Sequence, residues 1–315
     1  MSIGILQNSR DKRAEYRALF KANVKNRLLV DKIMTGVVIA CTLVAIIPLL
    51  WILGTLVYGG AGALSWEFFT QEPGAIGSGV PPAIGPAIQG TIIIIGLSSL
   101  IGVPIGIMSG IYLAEFGGSW FSKQIRFFTD VFMEFPSIVL GVFAFLAIVL
   151  IVGHFSIWAG AFALSLIMFP IVARATEEAL KMVPYSVREA GTALGLRKWI
   201  VTLRIIIPAA KKAILTGILL SVSRISGETA PLIMTVLGSS QFFGGFDAPI
   251  DALPLRIWRF SLQPYDEARL SGWGAALVLV LIILAIHIAV RYWFSRKNTG
   301  KGLISQIKEH RNVKN

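Results

Sequence analysis

The chain has 315 residues, of which 55% are hydrophobic and only 15% charged, with a net charge of +12 and a mean hydropathy of +0.73. A soluble protein of this size carries roughly 25% charged residues, and several apolar runs here exceed the length of about 18 residues that crosses a bilayer, so an ordinary soluble domain is excluded. A basic balance can also mark nucleic-acid binding. Its location argues against that, because 25 of the 29 Lys and Arg fall in residues 1–32, 116–130, 173–212 and 291–315, beside the apolar runs. This asymmetry follows the positive-inside rule; it predicts both termini in the cytoplasm and therefore an even number of spans.

Residues 1–32 are basic and polar. Tyr16, Phe20 and Val24 recur every fourth residue, flanked by Arg13, Arg17, Lys21 and Lys25. That spacing predicts either an amphipathic helix on the inner leaflet or a solvated arm. Span 1 is expected over about Ile33 to Tyr58. It holds the single cysteine, Cys41, whose expected role is packing. Ala61-Gly62-Ala63 mimics a signal-peptidase site, but the apolar run is longer than a signal-peptide core, so the segment reads as an uncleaved anchor. Residues 59–85 contain no Lys or Arg and are rich in Gly and Pro, as expected of an exterior loop.

Span 2 is expected from about Pro86 to Leu113. Gly102, Gly106 and Gly110 share one helix face, the pattern that lets helices approach closely in a membrane. Span 3, about Phe127 to Val152, carries Asp130 near its start and Glu134 deeper. Glu134 reads equally as a substrate-path residue or as the partner of a basic group, since intramembrane carboxylates seldom stand alone. Span 4 follows from about Phe155 to Val172. His154, His287 and His310 are scattered and show no metal-ligand spacing.

The segment 173–212 holds eight basic residues and is too long for a simple turn. Glu177, Glu178 and Lys181 suit helical pairs, Gly195 suits a turn at a helix end, and Pro208 suits the entrance to the next span. The expected form is two short helices with a bend between them. Span 5, about Ala209 to Met234, carries Arg224 and Glu228 one turn apart. Each charge at the bilayer centre costs roughly 2.5–3.5 kcal/mol on insertion scales, so such residues are functional by default. Gly227 and Pro231 predict a local break, and broken helices are how many transporters build midplane sites. The exterior loop 238–268 interleaves Leu255, Ile257, Trp258 and Phe260 with Arg256 and Arg259, as expected of an interfacial helix or a docking surface. Span 6, about Leu270 to Phe294, and a basic tail close the sequence.

Glu189-Ala190-Gly191, Gly195, Ile205, Ile207 and Pro208 resemble the EAA motif of bacterial ABC-transporter permeases, with matching spacing. Gly191 stands where the pattern has a second Ala, and Ile207 where it has Leu; the first change would loosen the short helix. Arg224-Ile225-Ser226-Gly227-Glu228-Thr229-Ala230-Pro231-Leu232 is similar to the span-5 signature of phosphate-uptake permeases of the PstA type, as are Pro136-Ser137-Ile138-Val139 and the loop ending QPYDEA.

The resemblance, which covers about 33–294, implies an all-α integral membrane protein with six transmembrane helices, like a type I ABC importer permease. A cytoplasmic coupling-helix loop over 173–208 would lie between spans 4 and 5, residues 1–32 would form a basic cytoplasmic or interfacial segment, and 295–315 a basic cytoplasmic tail. It implies a bacterial inner-membrane protein that imports phosphate at high affinity by alternating access. Its partners would be a second permease of the PstC type, a cytosolic ATPase dimer docked on the EAA helices, an external phosphate-binding protein and membrane lipid, with no nucleic acid. Arg224, Glu228, Thr229 and Glu134 would line the substrate path; Glu189, Ala190, Gly191, Gly195 and Pro208 would serve ATPase coupling.

The residues themselves agree with this. An Arg fork matches phosphate oxygens and stays charged, and Glu228 as its exchange partner would ease release. A permanent structural bridge from Arg224 to Glu228 or Glu134 is the alternative. No G-x-x-x-x-G-K-[ST] run is present, so the chain is not expected to be an enzyme, and ATP and Mg would be used by the partner ATPase with no cofactor in this chain. Charge alone does not separate phosphate from sulfate or molybdate. A phosphate-sensing role within the same complex is also compatible, whereas a lipid-phosphate enzyme would want interfacial His, Asp or Ser clusters that the sequence lacks.

Overall fold

In the computed structural model the backbone is described for residues 2–312, and side chains for Val24, 27–292 and Phe294. The amphipathic reading of residues 1–32, which turned on Tyr16, Phe20, Arg13, Arg17, Lys21 and Lys25, therefore lies outside the described side chains, as does the tail 295–315. The chain divides into two units, 1–58 and 59–315. The first is almost all of one helix, α1 (Ser2–Gly60). From Ile33 to Tyr58 its residues are nearly all apolar and nearly all exposed, the composition of a helix whose solvent is lipid.

The second unit opens with a short helix α2 (Trp66–Thr70), whose first turn is closed by Ser65 Oγ accepting from the Phe68 N–H at 3.1 Å. Helix α3 (Gly85–Glu115) has Pro86 in its first turn, where a missing N–H costs nothing. Helix α4 (Trp120–Glu134) is capped by Ser119 and stops at Phe135, which Pro136 holds in an extended conformation. Helix α5 (Ser137–Val152) leaves at 108° to it. Helix α6 (Ile157–Lys181) is capped by Ser156, α7 (Tyr185–Ala193) follows Pro184, and α8 (Lys198–Ser226) contains a wide turn over Thr202–Ile206 just before Pro208. That turn absorbs the hydrogen bond that the proline cannot make. Short helices α9 (Ala230–Thr235) and α10 (Leu253–Ser261) precede the last helix, α11 (Asp266–Asn312).

Among the described residues, five helices are long and apolar enough to cross a membrane, and α4 with α5 makes a sixth if that bent pair is one span. Span 3 is thus not the continuous helix expected over 127–152: Pro136 divides it. Span 4 does not end near Val172 but runs on to Lys181, and α8 begins at Lys198, ahead of Pro208. The expected two short helices reduce to one, α7, because the flanking parts of 173–212 are continuous with the long helices on either side.

The centre of the unit is the crossing of α3 and α6. A Cβ placed on Gly102 would lie 3.1 Å from Met168 Cβ, on Gly106 2.7 Å from Val172 Cβ, and on Gly110 2.5 Å from the Ala173 carbonyl oxygen. Only glycine admits this approach, as the spacing by four anticipated. Around it Leu140, Leu164, Ile225, Leu232 and Val236 pack into one apolar cluster that joins α5, α6, α8 and α9.

Candidate functional site

Helix α8 stops at Gly227, and α9 restarts after Thr229 with Pro231 at its beginning. The break expected at Gly227–Pro231 is present. Two residues flank it. Arg224 sits in the last turn of α8 with 57% of its side chain exposed; Glu228 lies just past the helix end, only 7% exposed, its N–H bonded to the Ile225 carbonyl at 3.2 Å. Arg224 Nη1 donates to Glu228 Oε1. The geometry is asymmetric: a buried carboxylate anchors a guanidinium whose side chain is more than half exposed. Such a fork can take a tetrahedral oxyanion in place of, or beside, the carboxylate. Thr229 is half-buried at the break, and its carbonyl accepts from Ile233 at 3.0 Å.

Glu134 stands at the end of α4, immediately before the Pro136 break, and is exposed. It makes no ion pair among the described residues, and Arg224 pairs with Glu228 instead. The two breaks are nevertheless linked. Helix α5 packs against α9 at Gly141, where a Cβ would lie 2.6 Å from Pro231 Cα.

A second polar contact flanks the site. His287 Nε2 lies 2.9 Å from Ser223 Oγ and 3.1 Å from the Leu219 carbonyl, tying α11 to α8 one residue before Arg224. Ser223 Oγ itself donates to the Leu219 carbonyl, so the three groups form one polar cluster. Metal-ligand spacing does not single out His287; its place one turn before the end of an apolar run is the signal that the sequence offers.

On the other side of the unit, Glu189 and Ala190 are exposed on α7, and Gly195 turns the chain with φ +78°, a left-handed conformation that glycine adopts without strain. Gly191 is buried, and a Cβ there would meet Val201 Cγ2 at 2.9 Å. The expectation that Gly191 loosens the helix is therefore reversed: the missing side chain lets α7 seat closely on the start of α8. Pro208 is exposed on α8.

Two ionic contacts fasten this region and were not foreseen. Arg188 on α7 donates to Glu115 at the end of α3 and, at 3.3 Å, to the Leu180 carbonyl at the end of α6. Glu177, fully buried, receives Arg126 from α4, Lys181 at 2.7 Å and Arg174 at 3.4 Å. The i,i+4 pairing of Glu177 with Lys181 was legible; the contribution of Arg126 from 51 residues away was not.

An all-helical unit with a broken penultimate span, a short helix tied by Arg188 to the neighbouring spans and an Arg–Glu pair at the break defines a multi-pass membrane permease. Residues 102–298 match the family of binding-protein-dependent transport system inner membrane components. The chain is 40% identical over 268 residues to the phosphate transport system permease protein PstA of Haemophilus influenzae, covering 85% of this chain and 94% of that one. It is 39% identical over 296 residues to its namesake in Yersinia pestis, covering 93% and 96%. The fold is shared with an inward-facing MetNI methionine ABC transporter (TM-score 0.52, 17% identity, 65% of this chain and 92% of that one). It is shared also with a bacterial alginate ABC transporter crystallised with an alginate pentasaccharide-bound periplasmic protein (TM-score 0.58, 17% identity, 83% and 95%). The chain belongs to the binding-protein-dependent transport system inner membrane component family, in its PstA branch, with the type I ABC importer permease fold.

Proposed function

We propose that this chain is the membrane permease subunit of an ATP-driven phosphate importer and that inorganic phosphate passes the break between α8 and α9. The observation that carries the reading is the Arg224–Glu228 pair: a guanidinium half open to its surroundings, held by a buried carboxylate at the break of an apolar helix. The relatives named as phosphate permeases support phosphate over sulfate or molybdate.

In this reading Glu228 keeps Arg224 extended between turnovers. An arriving phosphate exchanges with the carboxylate, taking two guanidinium N–H groups, and the return of Glu228 eases its release. A lone guanidinium would retain the anion; a permanent bridge would never admit it. Thr229 adds a hydroxyl at the break, and Glu134 borders the path from the neighbouring break in span 3.

Energy comes from partners. A cytosolic ATPase dimer, using ATP and Mg, docks on the EAA segment, where Glu189 and Ala190 are exposed and Gly191, Gly195 and Pro208 set the shape. Arg188 then relays movement of α7 to the ends of α3 and α6. A second permease of the PstC type completes the pathway, and an external phosphate-binding protein delivers the anion. The chain lies in the bacterial inner membrane with both termini in the cytoplasm.

The test is uptake of labelled phosphate by cells carrying Arg224→Gln, with assembly followed by copurification of the partners. Lost uptake with an intact complex supports the path. Parent-level uptake overturns it.

A further inference from the structure

The segment that follows α9 is held by two arginines of α10. Leu237 has φ +59°, a left-handed conformation that a branched-chain residue adopts only under constraint, and Gly238 follows at φ +87°. Helix α9 has only six residues; its last carbonyl, that of Thr235, accepts from the Ser156 N–H at 3.3 Å, and the turn beyond it is held by side chains. Arg259 Nη2 donates to the Leu237 carbonyl, and Arg256 Nη2 donates to the Ser239 carbonyl at 3.1 Å. A Cβ on Gly238 would lie 2.9 Å from Arg259 Nη2, so the guanidinium lies directly against this turn.

The base of this clamp is rigid. Arg256 is itself paired with Asp251, and the two side chains are 6% and 0% exposed. The Leu253 N–H donates to Thr91 Oγ1 at 2.8 Å, which fixes the start of α10 on α3. Gly90 of α3 lies against the Asp251 carbonyl with no room for a Cβ. Burial raises the Asp251 carboxyl above its ordinary value against the opposing pull of Arg256. A pair so enclosed is a fixed anchor, since removing one partner would strand a buried charge.

We infer that Arg259, braced by the Asp251–Arg256 pair, is a positioning residue for the intramembrane site: it grips the Leu237 turn just past the end of α9 and so fixes where Glu228 stands at the other end of that short helix. Cationic groups just beyond a helix C-terminus favour its dipole. Here they also impose the strained Leu237 turn, so the outer half of span 5 is oriented by α10 rather than by its own short length. The inference rests on Arg224 and Glu228 forming the path. The two can fail separately, because normal uptake by Arg224→Gln overturns the path, whereas the clamp is read from variants outside it.

The experiment compares phosphate uptake, over a range of concentrations, for Arg259→Gln alone and combined with Leu237→Gly, in cells where the intact complex copurifies. Leu237 is largely exposed, so its truncation removes little packing, and glycine takes φ +59° without strain. Arg259→Gln should lower maximal uptake by about tenfold at unchanged half-saturation, as a misplaced catalytic geometry does elsewhere. The double variant should return to within about threefold of the parent, since the turn no longer needs the clamp. Parent-level uptake by Arg259→Gln overturns the inference, as does a loss that Leu237→Gly fails to repair, or a raised half-saturation with maximal uptake intact. If Arg259→Gln does not assemble, Arg259→Lys takes its place with the same pair of outcomes: a loss repaired by Leu237→Gly sustains the inference, and no loss or no repair overturns it.

Discussion

Two of the long apolar segments are broken, and they are broken differently. In span 3 Pro136 alone turns the chain through 108° and leaves Glu134 exposed with no ionic partner among the described residues. In span 5 the break lies between Gly227 and Pro231, and Glu228 there is buried against Arg224. Proline supplies the geometry of a break in either case. What makes one of them the candidate site is the second ingredient: a carboxylate withdrawn from solvent that holds a cation exposed on its other side. The two halves that follow the breaks, α5 and α9, then pack on each other through Gly141 and Pro231, so the bare break supports the charged one.

That contrast can be broken by experiment. Arg224→Gln should reduce phosphate uptake below detection with the complex intact, as the copurification assay above reads. Glu228→Gln keeps the shape but removes the anion that competes with substrate. It should lower maximal uptake by about tenfold while lowering the half-saturating concentration, a signature of a ground state held too tightly; a raised half-saturation would instead assign Glu228 to capture. Gly141→Val forces a side chain into Pro231 Cα and should destabilise the purified complex by about 1–3 kcal/mol, read as a lower thermal midpoint. An unchanged midpoint would mean that the two breaks are not packed together. Glu134→Gln should change uptake by no more than about twofold, in the range of exposed substitutions. An effect as large as that of Glu228→Gln would erase the distinction between the breaks.

Much of this was legible in the residues. The Gly102/Gly106/Gly110 stripe predicts a close helix approach on one face of α3, though not that α6 makes it, and Gly227 with Pro231 predicts the break in span 5, because glycine and proline act through local backbone rules that need no knowledge of neighbours. The break at Pro136 obeys the same rule but was passed over, since the apolar run on both sides reads as one span by length alone. The contacts Arg126–Glu177, Arg188–Glu115 and Asp251–Arg256 were not legible in the same way. Arg126 and Arg188 look solvated until the fold brings carboxylates to them from 51 and 73 residues away, and Asp251–Arg256, only five apart, is hidden by burial that no spacing reveals. Arg256 and Arg259 were read as part of a surface for that reason, and the structure turns Arg256 fully inward.

The α3–α6 crossing has a mechanical consequence. Met168, Val172 and Thr176 sit opposite Gly102, Gly106 and Gly110, knobs and notches with the same interval of four residues. Sliding one helix along the other would drive each knob into backbone until a whole interval of about 6 Å had been passed. The pair is keyed against shear, like a shaft in its slot. Any alternation of the pathway must swing other helices about this fixed axle, and distances between labels on α3 and α6 should stay constant through the transport cycle.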